Sequence, residues 1–387
     1  MAGLAEAIPG SIRDLPASAI REVANAGIGR TDLIPLWFGE GDLATPEFVR
    51  SAAIRSLEAG ETFYEPNRGI AELRAALGVY LTGLYGRTFR AAHVTVTGSG
   101  LNGLMIAAQT VLEPGAHVVA TVPVWPNLIA IPTILRARIT PVPLEPHETA
   151  WRLDLDQLFD ACTPGTRLLL INTPSNPTGW MMDEAEIRTV LDFARARGIW
   201  VIADEVYARI VYDRPVAPSF LSLMEEDDRL IVVNSFSKSW CMTGWRLGWL
   251  AAPPALGPTF EKLMEFNTSC APRFVQHGGL AALARGEGFI HEIRQRYGRS
   301  RDLMIERLGA SNRITLPVPE AAFYGFFKVE GVEDGIAFAK RLVAEAGVGL
   351  APGEAFGEQS RGWLRLCYAT SPELLDRALD RLQEHLD

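Results

Sequence analysis

The stretch "HVTVTGSGLNGLMIAAQTVL", residues 93–112, joins a run of β-branched residues to a glycine-rich turn and then to a helical pattern. The first five residues favour a β-strand, and the apolar spacing after residue 100 favours an α-helix. The turn "GSGLNG", residues 98–103, has the spacing GxGxxG in the strand-then-helix setting where glycines let backbone amides approach a phosphate group. The stretch therefore predicts a phosphate-binding turn in an α/β protein. A tight turn that binds nothing stays open as the alternative.

The same alternation of strand and helix continues to about residue 252. Five further apolar runs have the length and composition of buried strands: "HVVATV" (117–122), "RLLLINT" (167–173), "IWVIADE" (199–205), "RLIVVNS" (229–235) and "GWLAAP" (248–253). Helical patterns such as "DEAEIRTVLDFARAR" (183–197) lie between them. This order predicts an α/β fold with a mostly parallel central sheet and helices on both faces. In such sheets ligands bind beyond the carboxyl ends of the strands.

The two ends of the chain differ in texture from its middle. Before about residue 45 and after about residue 285, longer amphipathic helices alternate with shorter strands such as "EAAFYGFFKVEG" (320–331). We predict an N-terminal arm with part of a small domain over 1–45, a large domain over 46–285, and the C-terminal part of the small α+β domain over 286–387. The segment "PLWFGEGDLATP" (35–46) is predicted to be a linker or part of a site.

Composition argues against several classes of function. A net charge of −9 argues against nucleic-acid binding, because phosphate backbones select basic surfaces. The basic cluster "RQRYGRSR" (294–301) is interpreted as a solvated helix face. The four cysteines are widely spaced, which predicts reduced thiols and neither a disulfide framework nor a metal site. The chain shows no secretory signal pattern and no apolar segment of membrane-spanning length, so we predict a cytoplasmic protein without a membrane partner.

Side chains of complementary chemistry follow the predicted strands at their carboxyl ends. In chain order they are Trp125, Asn176, Asp204, Tyr207, Ser235, Ser237, Lys238 and Arg246. Taken singly, each has a structural alternative, such as a turn asparagine or a helix-capping aspartate. Together they suit pyridoxal 5′-phosphate. Its phosphate needs amides and an arginine, its ring a stacking partner, its pyridine nitrogen a carboxylate, and its aldehyde a lysine.

These motifs resemble the fold type I pyridoxal-phosphate aminotransferases, the aspartate aminotransferase superfamily, over nearly the whole chain. The resemblance is carried, in order, by "FYEPNRGIAELRAAL", "TGSGLNGL", "PVWPN", "NTPSNPTG", "ADEVY", "SFSKSWCMTGWRLGW", "APGEAFG" and "WLRLCYA". It implies a homodimer with shared active sites, and an amino acid and a 2-oxo acid as substrates.

The resemblance also implies roles for individual residues. Lys238 is expected to form a Schiff base with the cofactor and to act with Asp204 and Tyr207 as the catalytic residues. The other expected cofactor contacts are Ser99, Gly100, Leu101, Trp125, Asn176, Ser235, Arg246 and, from the neighbouring subunit, Tyr64. Arg365 is expected to hold the substrate α-carboxylate, and the further substrate contacts are Asn176, Trp37 and Phe38.

A few positions depart from the pattern of aspartate-specific relatives. Many bacterial relatives have a lysine in the phosphate loop that contacts the distal carboxylate, and Leu101 stands at the matching position. Trp37 and Phe38 stand where relatives often have smaller residues, and Trp240, two residues after Lys238, adds further bulk. We therefore expect an amino donor that is apolar or aromatic rather than aspartate.

Three alternatives stay open. A β-lyase, cyclopropane-forming synthase, decarboxylase or racemase would use the same cofactor and fold. A regulator that senses a ligand would carry a DNA-binding module first, and we expect none because the resemblance begins almost at once. A dinucleotide-dependent dehydrogenase needs an acid about 20 residues after the glycine turn. The strand at that distance ends in "TVPVWPN" (121–127), without an acid.

Overall fold

The computed structural model describes residues 4–147 and 149–386. Its α-helices are α1 (Gly10–Arg13), α2 (Ala19–Ala26), α3 (Glu47–Glu58), α4 (Ala71–Tyr85), α5 (Gly100–Val111), α6 (Pro126–Ile134), α7 (Leu155–Asp160), α8 (Glu184–Arg197), α9 (Gly257–Glu265), α10 (Arg273–Arg285), α11 (Glu287–Gly309), α12 (Gly335–Glu345) and α13 (Pro372–Leu386). Its strands are β1 (Ile34–Pro35), β2 (Val94–Thr97), β3 (His117–Val122), β4 (Arg138–Pro146), β5 (Trp151–Leu153), β6 (Thr166–Asn172), β7 (Trp200–Asp204), β8 (Leu230–Ser235), β9 (Gly248–Ala251), β10 (Ile314–Thr315), β11 (Tyr324–Val329), β12 (Val348–Gly349), β13 (Ala351–Pro352) and β14 (Trp363–Cys367).

The large sheet has eight strands in the order β2-β9-β8-β7-β6-β3-β4-β5. Strands β8, β7, β6, β3 and β4 run parallel to one another. Strand β9 runs antiparallel to both β2 and β8, and β5 runs antiparallel to β4. The predicted mostly parallel central sheet is therefore confirmed.

Apolar clusters cover both faces of the large sheet. Along β6, Leu169 packs into one cluster together with Ile187 of α8, while the next residue, Leu170, packs into a second cluster together with Ala107 of α5. Successive side chains of a strand point to opposite faces, so helices bury the sheet from both sides. This explains the continuous apolar runs in the sequence.

Strands β4 and β5 of the large sheet were not predicted. β4 contains Pro141, Pro143 and Pro146, and β5 is only three residues long. Proline lacks a backbone N–H, which hides the strand pattern in the sequence. Pro141 and Pro143 lie where β4 pairs with β3, whereas β5 pairs only with residues 144–146. At these two positions β4 has a free edge that requires no donor.

A second sheet has four antiparallel strands in the order β10-β11-β14-β13. A separate parallel pair joins β1 to β12, and α2 packs against α12 and β13. Residues from both ends of the chain therefore lie together. The division into domains at residues 45 and 285 stays a prediction.

We call residues 36–42, which follow β1, the site loop. Its Asp42 carboxylate accepts hydrogen bonds from both terminal nitrogens of Arg296 on α11, at 2.6 and 2.7 Å. The same carboxylate accepts a hydrogen bond from the backbone nitrogen of Ser371 at 3.1 Å. These contacts tie the site loop to the C-terminal part of the chain.

No helix within residues 4–147 and 149–386 is long and apolar enough to cross a membrane. The same ranges contain no group of three or more His, Cys, Asp and Glu side chains placed to hold a metal ion. The cytoplasmic location stays a prediction.

Candidate active site

A cavity of about 280 Å³ opens at the carboxyl ends of β6, β7 and β8, beside the site loop. Most of the predicted site residues line it: Phe38, Gly100, Leu101, Trp125, Asn176, Asp204, Tyr207, Ser235, Lys238, Arg246 and Arg365. Side chains that are up to 327 positions apart in the sequence therefore share one cavity.

The glycine-rich turn forms one end of the cavity. The Ser99 side chain caps α5 by accepting a hydrogen bond from the backbone nitrogen of Asn102 at 2.9 Å. A Cβ placed on Gly248 would lie 2.5 Å from the backbone nitrogen of Gly100, so β9 can pass this turn only with glycine there. Amides at a helix N-terminus lack partners within the helix and favour an anion.

A serine and an arginine complete this end of the cavity. A Cβ placed on Gly100 would lie 3.2 Å from the Cβ of Ser235, so the end of β8 touches the glycine turn. Arg246 lines the same cavity and donates a hydrogen bond to the backbone oxygen of Thr243 at 2.6 Å. It has no carboxylate partner among the described residues. Amides, a hydroxyl and a guanidinium together suit a phosphate group.

Asp204 is a buried carboxyl at the end of β7. Within the described residues, one of its oxygens accepts a hydrogen bond, from the backbone nitrogen of Val206 at 3.3 Å. Burial raises the pKa of Asp204 to about 7, although the nearby Lys238 ammonium acts in the opposite direction. A buried carboxyl with so few partners suits a ligand that brings its own proton or positive charge.

Lys238 lies between the large sheet and the site loop. Its Nζ donates a hydrogen bond to the backbone oxygen of Gly39 and lies 5.7 Å from the ring centre of Tyr207 and 5.8 Å from that of Phe323. Burial lowers the pKa of the Lys238 amine to about 8. A fraction of the amine is therefore neutral near physiological pH, as a nucleophile or a proton carrier requires.

Arg365 is a buried guanidinium on β14. It donates from Nη1 to Oδ1 of Asn176 at 2.8 Å and from Nη2 to the backbone oxygen of Trp37. Its Nε is buried without a hydrogen-bond partner, and it forms no ion pair with any carboxylate in the described part of the chain. A buried cation without a counter-ion costs free energy, and an anionic ligand in the cavity would supply the missing charge.

A family model for class I and II aminotransferases matches residues 31–382. The chain belongs to this family. The aminotransferase is 32% identical to an aspartate aminotransferase from Pyrococcus horikoshii, over 96% of this chain and 95% of that protein. It is 34% identical to aromatic-amino-acid aminotransferase 2 from Thermococcus litoralis, over 95% of each chain. Its structure matches that of an aspartate aminotransferase from Thermotoga maritima with a TM-score of 0.90 and 32% identity, over 98% of this chain and 100% of that chain.

Members of this family use pyridoxal 5′-phosphate, so both the predicted cofactor and the predicted transaminase are confirmed. The family membership excludes the dehydrogenase alternative. The aminotransferase also has residues that fit the group. The glycine-rich turn lies at the N-terminus of α5, with Gly248 packed against it. The buried carboxyl of Asp204 and the buried amine of Lys238 line the same cavity. These suit a phosphate, a ring nitrogen and an aldehyde.

Two tryptophans differ from their predicted places. The Trp37 side chain packs into the core, where a Cβ placed on Gly349 would lie 2.0 Å from its Cε3 atom. Only the Trp37 backbone oxygen takes part in the site, as the acceptor from Arg365. Trp240 is also fully buried, against Tyr80 and the position of Gly286. Of the two adjacent aromatic residues of the site loop, Phe38 lines the cavity, whereas the Trp37 side chain lies in the core. The role of Trp37 as a substrate contact stays a prediction.

Tyr64 lies outside the cavity of its own chain. It is 88% exposed, and its neighbour Phe63 is 82% exposed. The predicted contact of Tyr64 with the cofactor of a neighbouring subunit stays a prediction.

Several residues of the cavity were not predicted as site residues from the sequence. They are Ile20, Gly39, Leu104, Asn172, Val206, Thr243 and Tyr324. Tyr324 is the most informative, because its hydroxyl lies 2.6 Å from the hydroxyl of Tyr207. It begins β11 in the second sheet, so no strand-end rule for the large sheet identifies it. Strand β11 pairs with β14, which carries Arg365, so a search along the strands next to β14 would have identified Tyr324.

Proposed function

We propose that the aminotransferase moves an α-amino group from an L-amino acid to a 2-oxo acid, with Lys238 carrying the cofactor and the proton. The observation that supports this most is the content of the cavity. It joins a buried lysine of lowered pKa, a buried carboxyl at Asp204, and a buried guanidinium without a counter-ion at Arg365. These three groups suit a cofactor aldehyde, a ring nitrogen and a substrate carboxylate, respectively.

The cofactor contacts that we propose divide by the part of the cofactor they hold. When bound, pyridoxal 5′-phosphate supplies an aldehyde that joins amines and a ring that withdraws electrons. The phosphate is held by Ser99, Gly100, Leu101 (through its backbone amide), Ser235 and Arg246. The ring is held by Trp125, Asp204, Asn176 and Tyr207. Asp204 keeps its negative charge when it faces a protonated nitrogen, because the opposite charge offsets the cost of burial.

Lys238 moves the proton in this proposal. Its Nζ takes the proton from the substrate Cα as a general base and, as a general acid, would deliver it to the cofactor carbon that carries the aldehyde. A pKa of about 8 suits both roles near neutral pH, since neither protonation state is costly to reach. The Gly39 oxygen, which accepts a hydrogen bond from Nζ, keeps the amine beside the cavity.

Arg365 and Asn176 orient the substrate. The guanidinium offers a planar fork of donors, of which Nε has no partner among the described residues. A carboxylate that pairs with this fork fixes the position of the Cα–H bond relative to Lys238.

The donor that we propose is apolar or aromatic. Three cationic side chains line the cavity, namely Lys238, Arg246 and Arg365, and each already has a role. The remaining wall includes apolar side chains such as those of Ile20 and Leu101. Within the described residues of one chain, no fourth cation lines the cavity to pair with a distal carboxylate, whereas an apolar side chain finds complementary contacts.

The test uses the holoenzyme without any oxo acid. Single amino acids are added in turn, and the loss of the visible absorbance band of the bound cofactor is followed. We expect phenylalanine, tyrosine, leucine and methionine to abolish the visible absorbance at lower concentrations than aspartate does. A preference for aspartate contradicts the proposed donor class. A band that persists while pyruvate and ammonia accumulate from an amino acid with a leaving group on Cβ, such as cysteine, contradicts transamination and supports a β-lyase.

We also propose a homodimer in which Tyr64 reaches the cofactor phosphate of the partner subunit. The support is a set of exposed aromatic side chains, two of them adjacent in the sequence and a third in a segment that the hydrogen bond from Asn67 to Glu265, at 2.8 Å, joins to theirs. Phe63 and Tyr64 precede α4, and Phe266, which is 88% exposed, follows α9. The neighbouring Glu65 pairs with Arg273 at 3.0 Å, which brings the two regions together. Exposed aromatic residues of this kind are enriched in interfaces.

Subunit mixing tests the shared site. A Lys238→Ala chain and a Tyr64→Ala chain are each impaired, but a mixed dimer contains one site with both Lys238 and Tyr64. Refolding the two variants together is expected to restore activity above that of either variant alone. A monomer in light scattering, or no recovery on mixing, contradicts the proposal.

A further inference from the structure

Tyr324 is a fully buried residue in which two interactions of the site meet. Its hydroxyl oxygen lies 2.6 Å from that of Tyr207. The guanidinium carbon of Arg365 lies 4.5 Å from the centre of the Tyr324 ring. One side chain therefore touches both the residue proposed to hold the cofactor ring hydroxyl and the residue proposed to hold the substrate carboxylate.

The direction of the Tyr324–Tyr207 hydrogen bond follows from the available partners. Among the described residues, the Tyr324 hydroxyl has no hydrogen-bond partner other than Tyr207. If Tyr324 accepted, its own proton would be buried without an acceptor, which is costly. Both side chains line the cavity, but only Tyr207 is proposed to contact the ring oxygen of the cofactor, which would accept its proton. Tyr324 is therefore the donor and Tyr207 the acceptor when the cofactor is present.

The site loop holds the Tyr324 hydroxyl in place. A Cβ placed on Gly39 would lie 2.2 Å from the hydroxyl oxygen of Tyr324, so the loop backbone is packed directly against it. The backbone oxygen of the same residue, Gly39, accepts the hydrogen bond from Lys238. Burial raises the pKa of Tyr207 and of Tyr324, so both hydroxyls keep their protons at neutral pH.

We propose that Tyr324 is a positioning residue that aims the Tyr207 hydroxyl at the cofactor and supports the Arg365 guanidinium with its ring face. The inference rests on the proposed roles of Tyr207 and Arg365. With its oxygen already accepting from Tyr324, Tyr207 directs its own proton to the ring oxygen of the cofactor. The accepted hydrogen bond polarises Tyr207 and makes it a stronger donor.

This arrangement has a consequence for pH. A donor to the cofactor ring oxygen stabilises the form in which that oxygen carries more negative charge, so it lowers the pH at which the visible absorbance band changes. A weaker donor at Tyr207 therefore moves that midpoint upward. The other titratable and charged groups that face this position are Asp204, Lys238, Arg365, Cys367 and Glu40, and the variants below leave all of them in place.

Three phenylalanine variants of the holoenzyme test the hydroxyl. Tyr207→Phe removes the hydroxyl proposed to donate to the cofactor, and Tyr324→Phe removes the hydroxyl that donates to Tyr207. Tyr212→Phe is the matched control, because its hydroxyl donates to the backbone oxygen of Ala322 at 2.5 Å and does not line the cavity. The measurement is the pH midpoint of the visible band. We expect an upward shift of about half a pH unit for Tyr324→Phe, a larger shift for Tyr207→Phe and none for the control.

The outcomes separate the inference from the proposal beneath it. If Tyr207→Phe shifts the midpoint and Tyr324→Phe behaves like Tyr212→Phe, the inference about Tyr324 is overturned. If Tyr207→Phe also leaves the midpoint unchanged, the proposed role of Tyr207 fails, and the hydroxyl part of the inference fails with it.

A leucine variant tests the ring. Binding of 3-phenylpropionate and of maleate, two carboxylates without an amino group, is measured by their effect on the visible band. Tyr324→Leu is expected to weaken both by about fivefold through loss of the cation–π contact. Tyr324→Phe keeps the ring and is expected to bind both as the wild type does. If the two variants bind the carboxylates equally weakly, or if Tyr324→Leu binds them as the wild type does, the role of the ring is overturned. If the leucine variant does not fold, the pH midpoint of Tyr324→Phe still decides the hydroxyl part.

Discussion

The two walls of the active-site cavity are built in different ways. The cofactor wall, with Asp204, Ser235 and Lys238, comes from β7, β8 and the loop after β8, which are neighbours in one parallel sheet. The substrate wall, with Phe38 and Arg365, comes from the site loop and β14, more than 300 positions apart in the sequence. Pairing between neighbouring parallel strands fixes the first wall. The second joins distant segments, through backbone hydrogen bonds such as that from the Cys367 nitrogen to the Leu36 oxygen at 2.9 Å and through the Arg365 side chain. Changes in the cofactor wall should therefore remove the cofactor chemistry, and changes in the substrate wall should alter substrate binding with the cofactor retained.

The largest effect is expected from Lys238→Ala in the cofactor wall. Loss of the amine removes both the bond to the cofactor and the proton carrier, so activity should fall by at least about 10³-fold. The visible band of the bound cofactor should disappear as well. Lys262→Ala, at an exposed lysine of α9, is the matched control. A visible band that survives in Lys238→Ala refutes the assignment.

A smaller and different effect is expected from Arg365→Lys in the substrate wall. The variant keeps the charge but loses the planar fork, so kcat/KM should fall about 100-fold, mainly through KM. The visible band should remain. Arg307→Lys serves as the control, because Arg307 pairs with Asp376 and Asp380 outside the cavity. Loss of the band together with activity would contradict the division into two walls.

The third prediction concerns pH and the stability of the cofactor-free protein. Burial raises the pKa of Asp204 from 3.8 to about 7, so between these values the folded protein binds more protons than the unfolded chain. Stability therefore falls as the pH rises through this window. Between pH 5 and pH 8 the free energy of unfolding should fall in both proteins, and we expect the fall to be about 2 kcal/mol smaller in Asp204→Asn than in the wild type. Urea unfolding at the two pH values measures it. Glu205, whose pKa burial raises to about 8, acts in the same direction in both proteins. Equal losses in the two proteins would contradict the prediction.

The smallest expected effect comes from Leu101→Lys, in the first turn of α5 where it lines the cavity. A lysine here would add a cation for a distal carboxylate, so the ratio of kcat/KM for aspartate to that for phenylalanine should rise about tenfold. Leu101→Met is the control for side-chain length without charge. An unchanged ratio in Leu101→Lys would show that this position does not set the donor preference.

The sequence predicted the cofactor wall well because its evidence is local. The apolar runs predicted the strands, and the polar residues directly after them, from Asn176 to Arg246, line the cavity. The glycine turn at residues 98–103 opens α5 as expected. Strand β4 was missed because its three prolines mask a strand that has a free edge.

The sequence by itself determined the order of strands and helices, the lysine and the carboxyl at the strand ends, and the family resemblance. Only the tertiary structure decided that Trp37 packs into the core while Phe38 lines the cavity, and that Tyr324 bonds to Tyr207. The physical reason is the range of the interactions. Periodicity and turn chemistry act over a few residues, whereas the packing of the site loop against β11 and β14 joins segments nearly 300 or more positions apart.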